Sequence, residues 1–183
     1  MPHLIEQDVE EAKLAWQATQ SLAIEAVLLQ SAQVTKGKVA DDTERLNTSA
    51  AFKPIALKLE KDSDSVVFLT GFHYGIESSK QEKQRETSEP VASIKCVFES
   101  RYFKNPQVEI EEAALKAFHE STVIYAAWPF FREFVQSSVT RMGFAAPPLD
   151  FLMVRVKPHA EDKPKHTMQT APPRRLRSKK ANP

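Results

Sequence analysis

The side chains able to carry out chemistry are few, and their spacing matches no catalytic or metal-binding motif. The sequence has five histidines, one cysteine and four glycines. It contains no His-x-x-x-His or Cys-x-x-Cys pair, the spacings of common zinc sites. The glycines form no cluster of the kind that surrounds a phosphate. We therefore expect no catalytic residue, no bound metal and no cofactor, and we predict that the protein is not an enzyme.

Histidine and cysteine are the residue types most often used in catalysis, but His73 and Cys96 lie in patterns typical of structural positions. His73 alternates with Phe72 and Tyr74, which places it on the opposite, solvent-facing side of a predicted strand. Cys96 lies on the apolar side of another predicted strand, where a buried thiol is far more common than a nucleophile. Because there is no second cysteine, an intramolecular disulfide is excluded.

Charge divides the chain into two parts. Residues 157–183 hold eight Lys or Arg and two acidic residues, a net charge of +6, whereas residues 1–156 carry −5. We predict one folded domain over 1–156 and a disordered basic tail over 157–183. The tail either solubilises the protein or binds an anionic partner such as nucleic acid. The first interpretation is favoured, because the tail lacks the interleaved aromatic residues that stack on bases.

The predicted compartment rests on two kinds of segment that the sequence lacks, a membrane span and a signal peptide. No apolar run approaches the roughly 18 residues of a membrane span. The first eight residues lack the basic start and apolar centre of a signal peptide. Together with the single cysteine, these features predict a cytoplasmic protein.

The stretch 121–142 is predicted to be an amphipathic helix around which the fold is organised. After Pro129 its apolar residues recur three or four positions apart, at 130, 131, 134, 135, 139 and 142. Pro129 suits the first turn or a kink of this helix, and Gly143 ends it. Four large aromatic side chains lie within residues 128–134. Either a sheet of the same chain or a partner must cover them.

Three segments with alternating apolar residues predict strands. Their apolar sides are Ile55, Leu57 and Leu59; Val66, Phe68, Phe72, Tyr74 and Ile76; and Ala92, Ile94, Cys96, Phe98 and Tyr102. The polar segment 37–49 is predicted to be a loop, and 77–89 a long solvated connection. Because no segment between the strands has room for a crossover helix, the sheet is predicted to be antiparallel. Residues 149–156 predict one more extended segment.

Helices are predicted before and after these strands. Residues 5–20 form an N-terminal helix, with Val9, Ala12 and Trp16 on its apolar face, and propensity alone extends this helix to about residue 30. Asn105-Pro106 predicts the start of a short helix ahead of the organising helix. Strands followed by covering helices predict the α+β class.

A resemblance to a known family lies in residues 125–143. Their sequence, Tyr-Ala-Ala-Trp-Pro-Phe-Phe-Arg-Glu-Phe-Val-Gln-Ser-Ser-Val-Thr-Arg-Met-Gly, resembles the main helix of the SecB family of export chaperones. That helix starts with Pro-aromatic-x-Arg-Glu and ends near Arg-x-Gly, before a Pro/Leu-rich crossover. The matching positions are Pro129, Phe130, Arg132, Glu133, Arg141 and Gly143. The order of elements is similar to SecB over residues 22–156, which implies a first strand from about 22 to 36 and a four-stranded sheet.

The resemblance implies an ATP-independent molecular chaperone. Such a holdase binds unfolded or non-native polypeptides for protein export and translocation, and assembles as a homotetramer, a dimer of dimers. Its peptide-binding groove would include Ile55, Leu57, Leu59, Phe144, Leu149, Phe151 and Leu152. Its oligomer interface would include Trp128, Phe130, Phe131, Phe134, Val135 and Val139.

Two departures from the family pattern leave the partner open. Pro158 and the tail leave no room for the second helix with which the family ends, and the acidic sheet patch that recruits the SecA motor is reduced in the first strand to Glu25. The clients are then either exported proteins, with SecA as partner, or an unstable antitoxin, since SecB-like proteins also serve toxin–antitoxin pairs. A nucleic-acid-associated protein that binds through its tail is the alternative from another class.

Overall fold

The protein folds into a four-stranded sheet with helices on one side and a two-stranded sheet that adds Ile5 and Leu152 to the main core. A computed structural model describes residues 3–37, 45–59, 64–82, 85–144, 149–150 and 152–157. The elements are β1 (His3–Gln7), α1 (Val9–Thr19), β2 (Leu22–Lys36), β3 (Arg45–Leu59), β4 (Ser65–Glu82), β5 (Arg85–Lys104), α2 (Glu112–Phe118), a π-helical turn (His119–Val123), α3 (Ile124–Arg141) and β6 (Leu152–Val156).

The main sheet has the order β2-β5-β4-β3 and is antiparallel throughout. This confirms the predicted α+β class and the SecB-like arrangement of a four-stranded sheet with a long helix. The apolar sides predicted for β4 and β5 are buried, from Val66 to Ile76 and from Ala92 to Tyr102. Those from Phe72 to Ile76 and from Ala92 to Phe98 pack in the main core with α3, where Phe131 stacks on Phe72 with ring centroids 4.8 Å apart. A second core lies at the other end of the sheet, where α1 and α2 cover Phe68 and Tyr102.

The first strand of the sheet, β2, starts at Leu22, as the resemblance implied. The extension of the N-terminal helix to residue 30, which propensity favours, is therefore wrong. Pairing with β5 decides the conformation, because the ladder supplies long-range hydrogen bonds that local propensity does not include.

The N-terminal helix also begins later than predicted. Residues 5–7 belong to β1, which pairs in parallel with β6, a partner almost 150 residues away in sequence. Asp8 starts α1 through a capping box with Glu11, in which each side chain accepts a hydrogen bond from the other residue's backbone amide. The helix buries Ala15 and Ala18, whereas Trp16 is 65% exposed, so the predicted apolar face is wrong as well.

Both polar segments that were predicted as loops contain strand. Residues 45–49 are the start of β3, while 38–44 lie outside the described residues. Residues 77–82 and 85–89 continue β4 and β5 as a hairpin, paired from Glu77 with Pro90 to Glu82 with Arg85. The prediction of a long solvated connection is wrong, because backbone groups make the ladder and polar side chains do not prevent it.

The helical region starts later and runs further without a break than predicted. Asn105 accepts a hydrogen bond from the Gln107 amide in a turn, and α2 begins only at Glu112. The helical path then continues through the π-turn into α3, so Pro129 lies inside a helix and not in its first turn. Pro129 is on the exposed side, where water can satisfy the carbonyl left without an amide partner.

The end of α3 is as predicted. Gly143 has φ +85°, and its amide donates to the Thr140 carbonyl, while the Phe144 amide donates to the Val139 carbonyl. These two bonds form a Schellman cap, which needs a left-handed residue at the glycine position. The extended segment predicted near the C-terminus is present as β6. Of the predicted tail, 157–183, all residues after Lys157 lie outside the described residues.

Candidate functional site

The longest exposed apolar row lies on β2, an edge strand hydrogen-bonded to β5 on one side. Ile24, Leu29 and Val34 pair with Tyr102, Phe98 and Ile94, so they point to the core side of the sheet. They nevertheless remain 54%, 44% and 44% exposed, whereas their partners on β5 are buried. Leu28, on the opposite side, is also half exposed. This β2 edge therefore offers apolar side chains next to backbone groups that the described strands leave unpaired.

The opposite edge of the sheet, β3, carries a second exposed set. Its register shifts between Pro54 and Ala56, and Ile55 occupies the irregular position. Ile55 folds over Gly71: a Cβ built at Gly71 would lie 2.9 Å from the Ile55 Cδ1. Leu59 is exposed, whereas Leu57 is half-buried against the second core.

The side of the sheet away from α3 is open and holds a trough of about 540 Å³. All four strands contribute to it. Its lining is Ser31, Ala32, Gln33, Ala51, Phe52, Lys53, Ile55, Gly71, Phe72, His73, Lys95, Cys96 and Val97. Phe72 and Cys96 have buried side chains and alternate with outward-facing neighbours, so they contribute mainly backbone. We call this cavity the sheet trough.

The predicted groove residues do not come together at one place. Ile55 lines the sheet trough, and Leu59 lies further along the same edge. Leu149 and Leu152 are buried in the main core, and Phe144 is half-buried against it. Phe151 lies outside the described residues. The groove stays a prediction, and of its members Ile55 and Leu59 have the most exposed surface.

The predicted interface residues are mostly internal to one copy of the chain. Trp128, Phe131, Val135 and Val139 are at most 3% exposed, and the Trp128 Nε1 donates to the Asp150 carbonyl at 3.1 Å. These four side chains have almost no exposed surface, and the interface stays a prediction. Within the interface prediction, Phe130 offers 45% exposure and Phe134 is half-buried.

The titratable groups fit structural positions. His73 is half-buried, and its Nε2 lies 3.1 Å from the Ser93 Oγ. Burial raises the pKa of the Cys96 thiol to about 12, which leaves little thiolate at neutral pH. The described residues contain no group of three His, Cys, Asp or Glu side chains arranged to hold a metal ion.

Two features of the structure were not predicted from the sequence. His119 is buried with its Nε2 3.1 Å from the Thr70 Oγ1, and burial lowers its pKa to about 4. No local pattern distinguishes it from an exposed helical histidine. The β2 row was visible as the apolar residues of 22–34, but its exposure depends on which strands the helices cover.

No helix among the described residues is long and apolar enough to cross a bilayer.

Comparison with known proteins gives a match in structure only. No family model matches the sequence, and no curated protein does. The chain is similar to the Mycobacterium tuberculosis Rv1957 SecB-like chaperone in complex with a ChAD peptide from the Rv1956 HigA1 antitoxin. The TM-score is 0.66 at 18% identity, covering 79% of this chain and 100% of the other. The fold is thus SecB-like. A Streptococcus agalactiae protein of unknown function, 7% identical over 71% of this chain and 97% of its own, has a TM-score of 0.37 and supports no argument.

Proposed function

We propose that this protein is an ATP-independent chaperone that holds non-native polypeptides, with no catalytic activity of its own. The observation that carries the proposal is the β2 edge, with large apolar side chains exposed on both sides of an edge strand in a SecB-like fold. Natural proteins usually protect such an edge with charges, proline or a covering element. An edge kept apolar is suited to binding another chain.

The binding mode follows from the chemistry of the edge. An extended client segment adds to β2 through main-chain hydrogen bonds, which do not depend on the client's sequence. Ile24, Leu28, Leu29 and Val34 then contact alternate apolar side chains of the client. Each contact is weak, so useful affinity requires several sites on one assembly.

For the same reason we propose that the chain assembles as a homotetramer. On α3, Tyr125 and Phe130 are 55% and 45% exposed, and they are the side chains we assign to contact between copies. Light scattering coupled to size exclusion is expected to give about four times 20.7 kDa. A monomer that persists at all concentrations would contradict the assembly.

The client class we favour is an antitoxin and not a precursor for export. The similar structure was solved with an antitoxin peptide. In addition, the first strand of the sheet lacks the acidic patch that a SecA contact would use, since Glu25 is its one acidic residue. Binding of a purified antitoxin from the same genome, compared with an export precursor, would test this choice.

The holdase proposal is tested with charges placed on the β2 edge. In the variant Leu29→Lys/Val34→Lys, two exposed apolar side chains are replaced, and light scattering of a guanidinium-denatured client diluted into buffer is followed. We expect the native protein to suppress aggregation and the variant to lose most of that effect. The matched control, Trp16→Lys/Met153→Lys, changes two side chains of 65% and 53% exposure elsewhere and is expected to keep it.

The folding and size of each variant separate the explanations. Circular dichroism is expected to show the native content of strand and helix in both double variants. If the edge variant misfolds, Leu28→Lys, on the other side of β2 and 48% exposed, replaces it. Full suppression by folded edge variants, or no suppression by the native protein at stoichiometric concentration, would reject the proposal.

A further inference from the structure

The sheet trough differs from the two apolar edges in its charge. Among the described residues that line it are two lysines and a histidine, and no carboxylate. Lys53 lies on β3 and Lys95 on β5, and both are exposed. No described carboxylate forms an ion pair with either lysine. Glu99 faces the same side further along β5, but it is paired with Arg101 at 2.6 Å.

The register of the strands fixes where these groups stand. Lys53, Gly71, Val97 and Ser31 form one row across all four strands, and Ala51, His73, Lys95 and Gln33 form the next. The two lysines are therefore in adjacent rows, on strands separated by β4. On β4, between the two lysines, Gly71 has no side chain and His73 stands next to Lys95. The rest of the floor includes two short side chains, Ala51 on β3 and Ser31 on β2.

The dimensions suit an extended segment better than a compact ligand. Three strand-to-strand spacings of about 4.8 Å make the trough roughly 14 Å across, the length of about four extended residues. Ile55 forms an apolar wall on one side, held over Gly71. The backbone groups of the two inner strands, β4 and β5, are paired within the sheet, so recognition there depends on side chains.

We propose that the sheet trough binds an extended acidic peptide segment of a partner protein. The segment places two carboxylates against Lys53 and Lys95 and a small apolar side chain between them, against the Ile55 side chain that covers Gly71. The basic tail of this chain, with its charge of +6, is repelled from the same site and is excluded as the occupant. This site shares Ser31, Ala32 and Gln33 with the β2 strand, but its two lysines lie on β3 and β5. The proposal does not rest on the holdase proposal.

The experiment uses the full-length protein and two probes. One is a fluorescein-labelled peptide of alternating Glu and Ala, and the other its counterpart of alternating Lys and Ala. Fluorescence anisotropy is expected to show binding of the Glu peptide, weakened by added salt, and no binding of the Lys peptide. In Lys53→Glu/Lys95→Glu the dissociation constant is expected to rise about tenfold. Each lost exposed ion pair contributes up to about fivefold, and the new carboxylates repel those of the peptide.

Two further variants separate the trough from net charge. Lys13→Glu/Lys116→Glu makes the same change of charge on exposed helical positions and is expected to alter binding by less than about twofold. Ser31→Trp fills the floor without changing charge and is expected to abolish binding. Equal weakening by both double charge variants, intact binding to Ser31→Trp, or no binding to the native protein would overturn the proposal.

The aggregation assay on the same trough variants keeps the two proposals apart. We expect Lys53→Glu/Lys95→Glu to suppress client aggregation as the native protein does. If peptide binding is absent while suppression is intact, the trough proposal alone fails. If the trough variants lose both properties, the trough is part of the client surface, and a separate acidic-peptide site is overturned.

Discussion

Acidification should destabilise this protein through one buried histidine. His119 is 4% exposed in the π-helical turn, where its ring packs on Phe68 with centroids 5.1 Å apart. Its Nε2 is 3.1 Å from the Thr70 Oγ1, and the ring also hydrogen-bonds the backbone of Leu69. Burial disfavours the charged ring and lowers its pKa from 6.5 to about 4, and the bond to Leu69 opposes this only in part.

The sign and the size follow from linkage. Because the folded pKa is below the unfolded one, the unfolded chain binds a proton between pH 6.5 and 4 that the native chain does not. The stability that neutral His119 contributes is therefore complete above pH 6.5 and is lost as the pH falls. With these two pKa values, the free energy of unfolding at pH 5 is lower by about 2 kcal/mol than at pH 7.5.

Urea unfolding of the native protein and of His119→Gln, at equal protein concentration and at pH 7.5 and 5.0, checks this value. Glutamine keeps a hydrogen-bonding group near Thr70 but does not titrate. The native protein should lose about 2 kcal/mol more than the variant between the two pH values. If both lose the same amount, carboxylates common to both proteins explain the pH dependence, and the argument about His119 is refuted.

Three other outcomes are expected. Phe131 is fully buried and stacked on Phe72, so Phe131→Ala should lower the free energy of unfolding by about 3–5 kcal/mol. Phe130 is half exposed, so Phe130→Ala should lower it by less than half of that amount. Similar losses in the two variants would mean that α3 does not pack as described. Because Gly143 has φ +85°, Gly143→Ala should lower the free energy of unfolding by about 1–2 kcal/mol. Gly143→Asn should lower it less, because asparagine tolerates the left-handed region. Equal losses in the two variants would argue against the cap. Cys96, with its pKa raised to about 12 by burial, should react with iodoacetamide at pH 8 far more slowly in the native protein than in urea, and comparable rates would show that the thiol is accessible.

Much of the sheet could be predicted because its signal is local. In β4 the apolar residues from Val66 to Ile76 alternate, and a strand with one buried side requires that period of two. The end of α3 was equally readable, since Gly143 alone among neighbouring residues suits a left-handed cap. In both cases the residue type and its immediate neighbours contain the physical cause.

The errors arose where the cause lies far away in the chain. β1 exists because β6 pairs with it, and the hairpin beyond Glu77 exists because its backbone continues a ladder begun by apolar residues. Neither segment has an apolar period of its own that would identify it as strand. The SecB resemblance corrected propensity at β2 because a family pattern already includes such long-range pairing.

The sequence by itself determined that α3 has one strongly apolar side, that the sheet is antiparallel and that no catalytic motif is present. Only the tertiary structure decided which apolar residues are used internally. Trp128 and Phe131 are covered by the sheet, while Leu29 and Val34 are left exposed at its edge. The pattern of residue types reports how strongly a side chain avoids water, whereas its exposure depends on where distant elements end. The same holds for the sheet trough, since Lys53 and Lys95 become neighbours across β4 only through the strand register.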